Sequence, residues 1–184
     1  MASESLPDLA RPASPFTGDD VAGILRERGW LAAMPAEAER ALELWLDRAA
    51  LLLGPQASDR CALGALLEMI FHYDARQILC RVESHEVMAR AGARDVVREL
   101  ARELLAGPDV DSDRLKQLAN DLKARTGCQG RTLFHPLRLA LAGRAGGGEM
   151  DRVVLLLDGA ARLPFTPPVK GARERILEFC AALD

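Results

Sequence analysis

The sequence predicts an all-α protein made of two packed helical sub-bundles. Helix-favouring Leu, Ala, Arg and Glu dominate the 184 residues, whereas aromatic residues make up only 4%. Apolar residues recur at helical spacing between Gly and Pro breaks, and no strand pattern competes with them. The hydrophobic fraction of 49% is sufficient for a core, which must consist mainly of Leu, Ala and Val.

Residues 1–16 are predicted to form a disordered leader. This segment is rich in Pro and Ser, and it lacks the basic start and apolar stretch of a signal peptide. The chain also lacks a run of about 18 apolar residues, so the sequence predicts no membrane-spanning segment and no membrane partner. A cytoplasmic location is therefore expected.

The first sub-bundle is predicted over residues 17–107, where capping residues and Gly or Pro breaks separate the helices. Two tryptophans in this segment, Trp30 and Trp45, are predicted to be core anchors. The expected boundaries are Thr17 and Gly29 for the first helix, Pro35 and Gly54-Pro55 for the second, Ser58 for the third, a short connection at Tyr73 and Asp74, Ser84 for the next stretch, and Gly92 as the break before an amphipathic run over residues 95–105.

The second sub-bundle is predicted over residues 108–184, after the sharp boundary signal Gly107-Pro108. A proline-rich connector is expected before its final helix. The expected boundaries are Asp111 or Ser112 and Gly127 for its first helix, Pro136 in the first turn and Gly143 at the end of the next, a flexible loop at Gly146, Gly147 and Gly148, a short helix over residues 149–157, and a final helix over residues 169–183.

Charge is unevenly distributed along the chain. The net charge is −3, which argues mildly against a protein that binds nucleic acid over its whole surface. Residues 113–152, however, contain eight basic and four acidic residues, a local excess of four positive charges. A local basic face on an otherwise acidic protein is therefore possible, although a solvated helix surface predicts a similar pattern.

The side chains that usually build metal sites are scattered. A tetrahedral zinc site requires closely spaced thiolates or imidazoles, and no Cys-x-x-Cys pair is present. The sequence therefore predicts no metal site. The residues concerned are Cys61, Cys80, Cys128 and Cys180, with His72, His85 and His135.

The most specific string in the chain is TGCQGRTLFHPLRLALAGR, over residues 126–144. It resembles the C-terminal anticodon-binding domain of bacterial glutamyl-tRNA synthetase, a class I aminoacyl-tRNA synthetase. That family shows T-G-x-x-G-K/R-x-L-F-x-P-L-R-x-A-L-T-G-R at this place. The resemblance extends more weakly over residues 18–184, including the junction at Phe71, Tyr73 and Asp74.

The resemblance implies the helical cage of class I anticodon-binding domains and a tRNA partner, tRNA-Glu or a relative of it. By motif alignment, Arg138 matches the arginine that contacts the anticodon. Arginine suits this role because a planar guanidinium donates two parallel hydrogen bonds and also stacks on bases. Gly147, Gly148 and Met150 match a small turn and an apolar residue against the bases, and Gln56 matches a position that senses the first anticodon base.

Two further arginines, Arg131 and Arg144, flank glycines of the same string and are predicted to contact phosphates or to remain solvated. Two departures from the family pattern affect base recognition. Ala142 stands where the family usually has Thr or Ser, and the glycine loop lacks the usual proline.

The sequence contains no catalytic motif of the synthetase, neither the His-Ile-Gly-His-like string nor the Lys-Met-Ser-Lys-Ser-like loop. We therefore expect no catalytic residue and no cofactor. Three hypotheses follow. The chain is a stand-alone tRNA-binding module with no chemistry of its own, a part or subunit of a glutamate–tRNA ligase that acts with a separate catalytic domain, or a helical protein-interaction module that has lost RNA binding.

Overall fold

A computed structural model describes residues 14–31 and 36–183. This part of the chain contains ten α-helices, one short 3-10 turn and no strand, which confirms the all-α prediction. No helix in it is long and apolar enough to cross a membrane. The helices are α1 (Gly18–Glu27), α2 (Ala36–Leu53), α3 (Arg60–Phe71), α4 (Ala75–Leu79), α5 (Val82–Met88), α6 (Ala93–Ala106), α7 (Ser112–Thr126), α8 (Arg131–Ala142), α9 (Gly148–Ala161) and α10 (Ala172–Leu183), and the 3-10 turn is Gly54–Gln56.

Several helix ends lie where the sequence predicts them. Thr17 forms a capping box with Asp20, in which each side chain accepts a hydrogen bond from the other residue's backbone N–H. Asp111 caps α7 by accepting from the N–H of Arg114 at 2.7 Å. Gly127 ends α7 with a φ of 69°, a left-handed conformation that glycine adopts at little cost.

Two predicted serine caps are wrong. The cap of α3 is Asp59, which accepts from the N–H of Ala62 at 2.8 Å, and its charge suits the helix dipole better than the adjacent Ser58 does. Ser84 lies inside α5 and is buried, because its hydroxyl donates to the carbonyl of Ile78 in the last turn of α4. The connection predicted at Tyr73 and Asp74 leads directly into α4, which the sequence analysis missed.

Three further boundaries differ from the prediction. Pro136 lies in the middle of α8, because Gly130 has a φ of 55° and lets the helix begin five residues earlier. The amphipathic run after Gly92 begins at Ala93, and α9 continues to Ala161. The final helix begins only at Ala172. The Pro35 start and most of the leader lie outside the described residues, but Ser14 donates a hydrogen bond to the Ala50 carbonyl at 2.8 Å.

One buried cluster runs through the described part of the chain. Trp30 stacks on Phe71 with ring centroids 4.6 Å apart, and Trp45 meets Phe165 edge-on at 5.1 Å. The indole N–H of Trp45 donates to the carbonyl of Leu156 at 3.1 Å, so both tryptophans are core anchors as predicted. Helix α6 packs against α8 and α10, so the core continues across the turn at Gly107. The division into two sub-bundles there stays a prediction.

A guanidinium is fully buried at the centre of the fold. Arg175 of α10 has no exposed surface, and its hydrogen bonds run only to backbone carbonyls. Burial lowers the pKa of Arg175 to about 10, so the group remains charged at neutral pH. The acceptors are Lys170 at 2.9 Å, Met69 at 3.0 Å, Leu141 at 2.8 Å and Ile70 at 2.6 Å.

These carbonyls lie mainly in the last turns of α3 and α8, where helix geometry leaves them without partners. The phenol of Tyr73 donates to the neighbouring carbonyl of Ala140 at 2.5 Å. The Arg175 guanidinium stacks on the Tyr73 ring, with its Cζ atom 4.6 Å from the ring centroid. Arg175 and Tyr73 therefore join α3, α8 and α10.

We predict that Arg175→Met lowers the free energy of unfolding by about 3 to 5 kcal/mol, because several buried carbonyls lose their donor at once. Urea denaturation followed by circular dichroism measures this change. The matched control is Arg94→Met on α6, an exposed arginine, which should change stability by less than about 0.5 kcal/mol. Equal stability of the two variants would contradict the role of Arg175 in joining α3, α8 and α10.

Candidate nucleic-acid interface

The predicted site lies where α8 ends and α9 begins. Gly143 ends α8 with a φ of 78°, and the chain then passes through Gly146 and Gly147 into α9. Only Gly148 of the three glycines is helical, and it has open space within 4 Å of where a side chain would begin. We call Gly146, Gly147 and Gly148 the glycine turn.

Arg138 connects α8 to both the glycine turn and α9. Its Nε and Nη2 atoms donate to the two carboxylate oxygens of Asp151, each at 2.7 Å, and Nη1 donates to the Gly146 carbonyl at 3.1 Å. The guanidinium also lies over the Phe134 ring, with Cζ 5.1 Å from the centroid. The Arg138 side chain is only 14% exposed, and its unused N–H groups are one on Nη1 and one on Nη2.

A second carboxylate lies on the glycine turn itself. Glu149 accepts a hydrogen bond from the Gly147 N–H at 2.8 Å. This bond, its own backbone N–H and the nearby charge of Arg138 hold the pKa of Glu149 below its ordinary value. Met150 packs beneath Gly146 with 3% of its surface exposed, so in this conformation it supports the turn. Its contact with bases stays a prediction.

Arg131 lies beside the glycine turn in an open cleft of about 360 Å³ that also contains Glu83, Glu86, Arg90, His135 and Gly146, so both signs of charge line it. The Nη1 atom of Arg90 lies 3.1 Å from Nδ1 of His135. Burial, Arg90 and Arg131 all lower the pKa of His135, so the imidazole is neutral at pH 7. The sequence analysis missed Arg90, because it lies outside the recognised string and no spacing connects it to Arg131.

Arg144 lies at the end of α8, in a second cleft of about 460 Å³ that it shares with Arg81, Glu68 and Asp74. Arg81 donates to the Gly143 carbonyl at 3.0 Å and so fixes the last turn of α8. Arg144 itself is exposed. One cleft that contains arginine therefore includes part of the glycine turn, and the other lies at the end of α8 that leads into it.

Gln56 is exposed at the end of the 3-10 turn between α2 and α3, both of which pack on α9. Among the described residues, no hydrogen bond links Gln56 to Arg138 or to the glycine turn. The structure therefore places Arg131 and Arg138 beside Gly146 and Arg144 at the end of α8. A place for Gln56 in this group stays a prediction.

Ion pairing sorts the eight basic residues of the predicted basic segment into two sets. Arg114, Lys116, Arg125 and Arg138 pair with carboxylates within 4.0 Å. The others have no carboxylate partner within that distance among the described residues, and they are Lys123, Arg131, Arg144 and Arg152. Arg144 and Arg152 lie on either side of the glycine turn in sequence, and Arg131 lines the cleft that contains Gly146.

An all-helical domain that presents arginines beside an exposed glycine turn has features of a nucleic-acid-binding domain. The family described as the anticodon binding domain matches residues 8–161, which is most of the chain. The chain belongs to this family. The match stops before α10, although Arg175 of α10 lies at the centre of the core.

The curated relatives that match the chain are glutamate–tRNA ligases. Glutamate–tRNA ligase 2 of Syntrophus aciditrophicus is 28% identical over 113 residues, which is 61% of this chain and 23% of that protein. Glutamate–tRNA ligase of Bacillus cytotoxicus is 30% identical over 115 residues, again 61% of this chain and 23% of that protein. In Halorhodospira halophila, glutamate–tRNA ligase 1 is 50% identical over 46 residues, or 25% of this chain and 10% of that protein.

The chain thus spans about a quarter of the length of the first two of these relatives. No solved structure matches it significantly.

We predict that Asp151→Asn lowers the free energy of unfolding by about 1 to 3 kcal/mol, because it leaves the partly buried Arg138 guanidinium without its counter-charge. Thermal unfolding measures the loss. The control is Asp113→Asn, whose carboxylate is 95% exposed and pairs with the exposed Lys116, so it should change stability little. If both variants melt alike, Asp151 does not fix Arg138.

Proposed function

We propose that this chain binds the anticodon loop of a tRNA through the glycine turn and the arginines around it. The observation that carries the proposal is the placement of Arg138, the motif arginine of an anticodon-binding family, against the Gly146 carbonyl at the entrance of this turn. The unused N–H groups on Nη1 and Nη2 can donate to one acceptor edge of an unstacked base. No chemistry is assigned to this chain.

The phosphate contacts are assigned to the arginines without carboxylate partners. Arg131 lies in the cleft that contains Gly146, together with Arg90, and Arg144 lies in the cleft at the end of α8. The backbone of a loop whose bases turn toward Gly147 and Gly148 passes near these guanidinium groups, which neutralise its phosphates. Gln56 is proposed as a peripheral contact. The proposed tRNA is tRNA-Glu or a relative, because the curated relatives are glutamate–tRNA ligases.

We predict salt-dependent binding of tRNA, which fluorescence anisotropy can measure between about 50 and 200 mM salt with a tRNA-Glu transcript. Arg131→Gln with Arg144→Gln should reduce the slope of log K against log salt by about 1.4, because each lost contact to single-stranded RNA removes about 0.7.

The control for this prediction is Arg26→Gln with Arg40→Gln, which removes the same charge from exposed positions on α1 and α2. It should leave the slope close to that of the wild type. If the wild type shows no salt-dependent affinity for any tRNA, the RNA-binding function is wrong and a protein-interaction role becomes the better explanation.

A second candidate function is supported by the relatives. The regions that match this chain are parts of much longer glutamate–tRNA ligases. The chain is therefore also proposed as the anticodon-binding part of such a ligase, acting with a catalytic domain that joins glutamate to tRNA.

This second function predicts that the chain, added in trans, raises kcat/KM for tRNA-Glu of a glutamate–tRNA ligase fragment that lacks its own anticodon-binding region. The Arg138→Ala variant should stimulate less, because the motif arginine is missing. Aminoacylation with labelled glutamate measures both. A chain that binds tRNA but never stimulates the fragment would support the binding module alone.

A further inference from the structure

The glycine turn already has an occupant in the free protein. The Glu149 carboxylate folds back over the turn and accepts the N–H of Gly147 at 2.8 Å. A methyl group on Gly147 would lie 2.6 Å from Oε2 of Glu149, and one on Gly146 would lie 3.0 Å from Oε1. Because these glycines carry no side chains, the carboxylate of Glu149 can lie directly against their backbone.

A carboxylate resembles the groups that RNA would bring to this place. Both a phosphate and the polar edge of a base present acceptor oxygens, and a backbone N–H at a glycine turn is a suitable donor for either. Glu149 uses the Gly147 donor and lies close enough to Arg138 for the guanidinium charge to lower its pKa. An RNA acceptor at Gly147 and the Glu149 carboxylate therefore exclude one another.

The two carboxylates near Arg138 are not equivalent. Asp151 makes two 2.7 Å bonds to the guanidinium and is 25% exposed, so it is fixed on α9. Glu149 has a longer side chain and bonds only to backbone N–H groups, of Gly147 and its own residue. Release of Glu149 gives up its bonds to backbone N–H groups and regains rotamer freedom, whereas release of Asp151 leaves a partly buried charge unpaired.

We propose that Glu149 is an internal competitor for RNA: its carboxylate occupies the Gly147 N–H in the free protein, and a bound nucleotide displaces it. This inference rests on the proposed RNA-binding function. Because the displaced carboxylate stays near the bound phosphates, it opposes binding twice, through the lost hydrogen bond and through repulsion. Glu149 therefore lowers the affinity of the site for RNA, although it does not contact the RNA in the complex.

The test compares Glu149→Gln with Glu174→Gln. Glu174 accepts the N–H of Gly171 at 3.0 Å at the start of α10, so it has the same kind of bond and charge as Glu149 but lies away from the glycine turn. The probe is a tRNA-Glu transcript, measured by fluorescence anisotropy at about 100 mM salt. We expect Glu149→Gln to bind about 3- to 10-fold more tightly than Glu174→Gln, which corresponds to the difference between a charge-assisted and a neutral hydrogen bond, because glutamine can still accept the Gly147 N–H.

Glu149→Ala removes the occupant completely and should bind at least as tightly as Glu149→Gln. Its thermal unfolding midpoint should be lower than that of the wild type, because the start of α9 loses an acceptor. Tighter binding by a less stable protein separates displacement of Glu149 from a general change in stability.

The outcomes distinguish the two proposals. If the wild type binds tRNA and Glu149→Gln binds no more tightly than Glu174→Gln, the competitor role is wrong and the proposed function stands. Binding by both Glu149 variants and not by the wild type would support the competitor role most strongly. If no variant binds, the proposed function is wrong, and the competitor role is wrong with it.

Discussion

The fold depends on how the carbonyl ends of α3 and α8 are satisfied where they meet α10. These groups lie in the core, where water cannot reach them, and unpaired carbonyls there would cost more than the helices gain by packing. Arg175 supplies the donors from α10, and its positive charge faces helix ends that carry partial negative charge. A neutral donor would provide fewer hydrogen bonds and no charge. The last turn of α8, which leads into the glycine turn, is held by this buried guanidinium together with Tyr73 and Arg81.

Arg138 and Arg175 differ in how much of the guanidinium remains open to a ligand. Arg175 is fully buried and directs its hydrogen bonds at backbone carbonyls, whereas Arg138 keeps part of its surface and unused donors on Nη1 and Nη2. Both connect helices. The core arginine has no accessible donor, but the arginine at the glycine turn can exchange part of its hydrogen bonding for a ligand.

Sequence reasoning succeeded where a feature has a local signature. Thr17, Asp111 and Gly127 were predicted because caps and left-handed glycines act on residues within one helical turn. The prediction of Ser58 as a cap was wrong because the neighbouring acid Asp59 caps α3 instead. The prediction of Ser84 was wrong because α4, which precedes it, is too short to show a helical period in the sequence. The burial of Arg175 could not be predicted, since its partners are distant backbone carbonyls and any residue carries one. At the site, the motif identified Arg138, but Arg90 and the folding back of Glu149 depend on tertiary contacts.

In the proposed interface, base selectivity would depend on Asp151 as much as on Arg138. A guanidinium reads a base best through two parallel donors on one edge. Asp151 occupies the edge formed by Nε and Nη2 and Gly146 accepts from Nη1, so in the proposed interface a base can meet only the two remaining N–H groups, one on Nη1 and one on Nη2. The carboxylate therefore determines which way the arginine faces, and in the proposed interface the glycine turn would determine how close a base can approach. An alignment of the arginine alone carries neither piece of information.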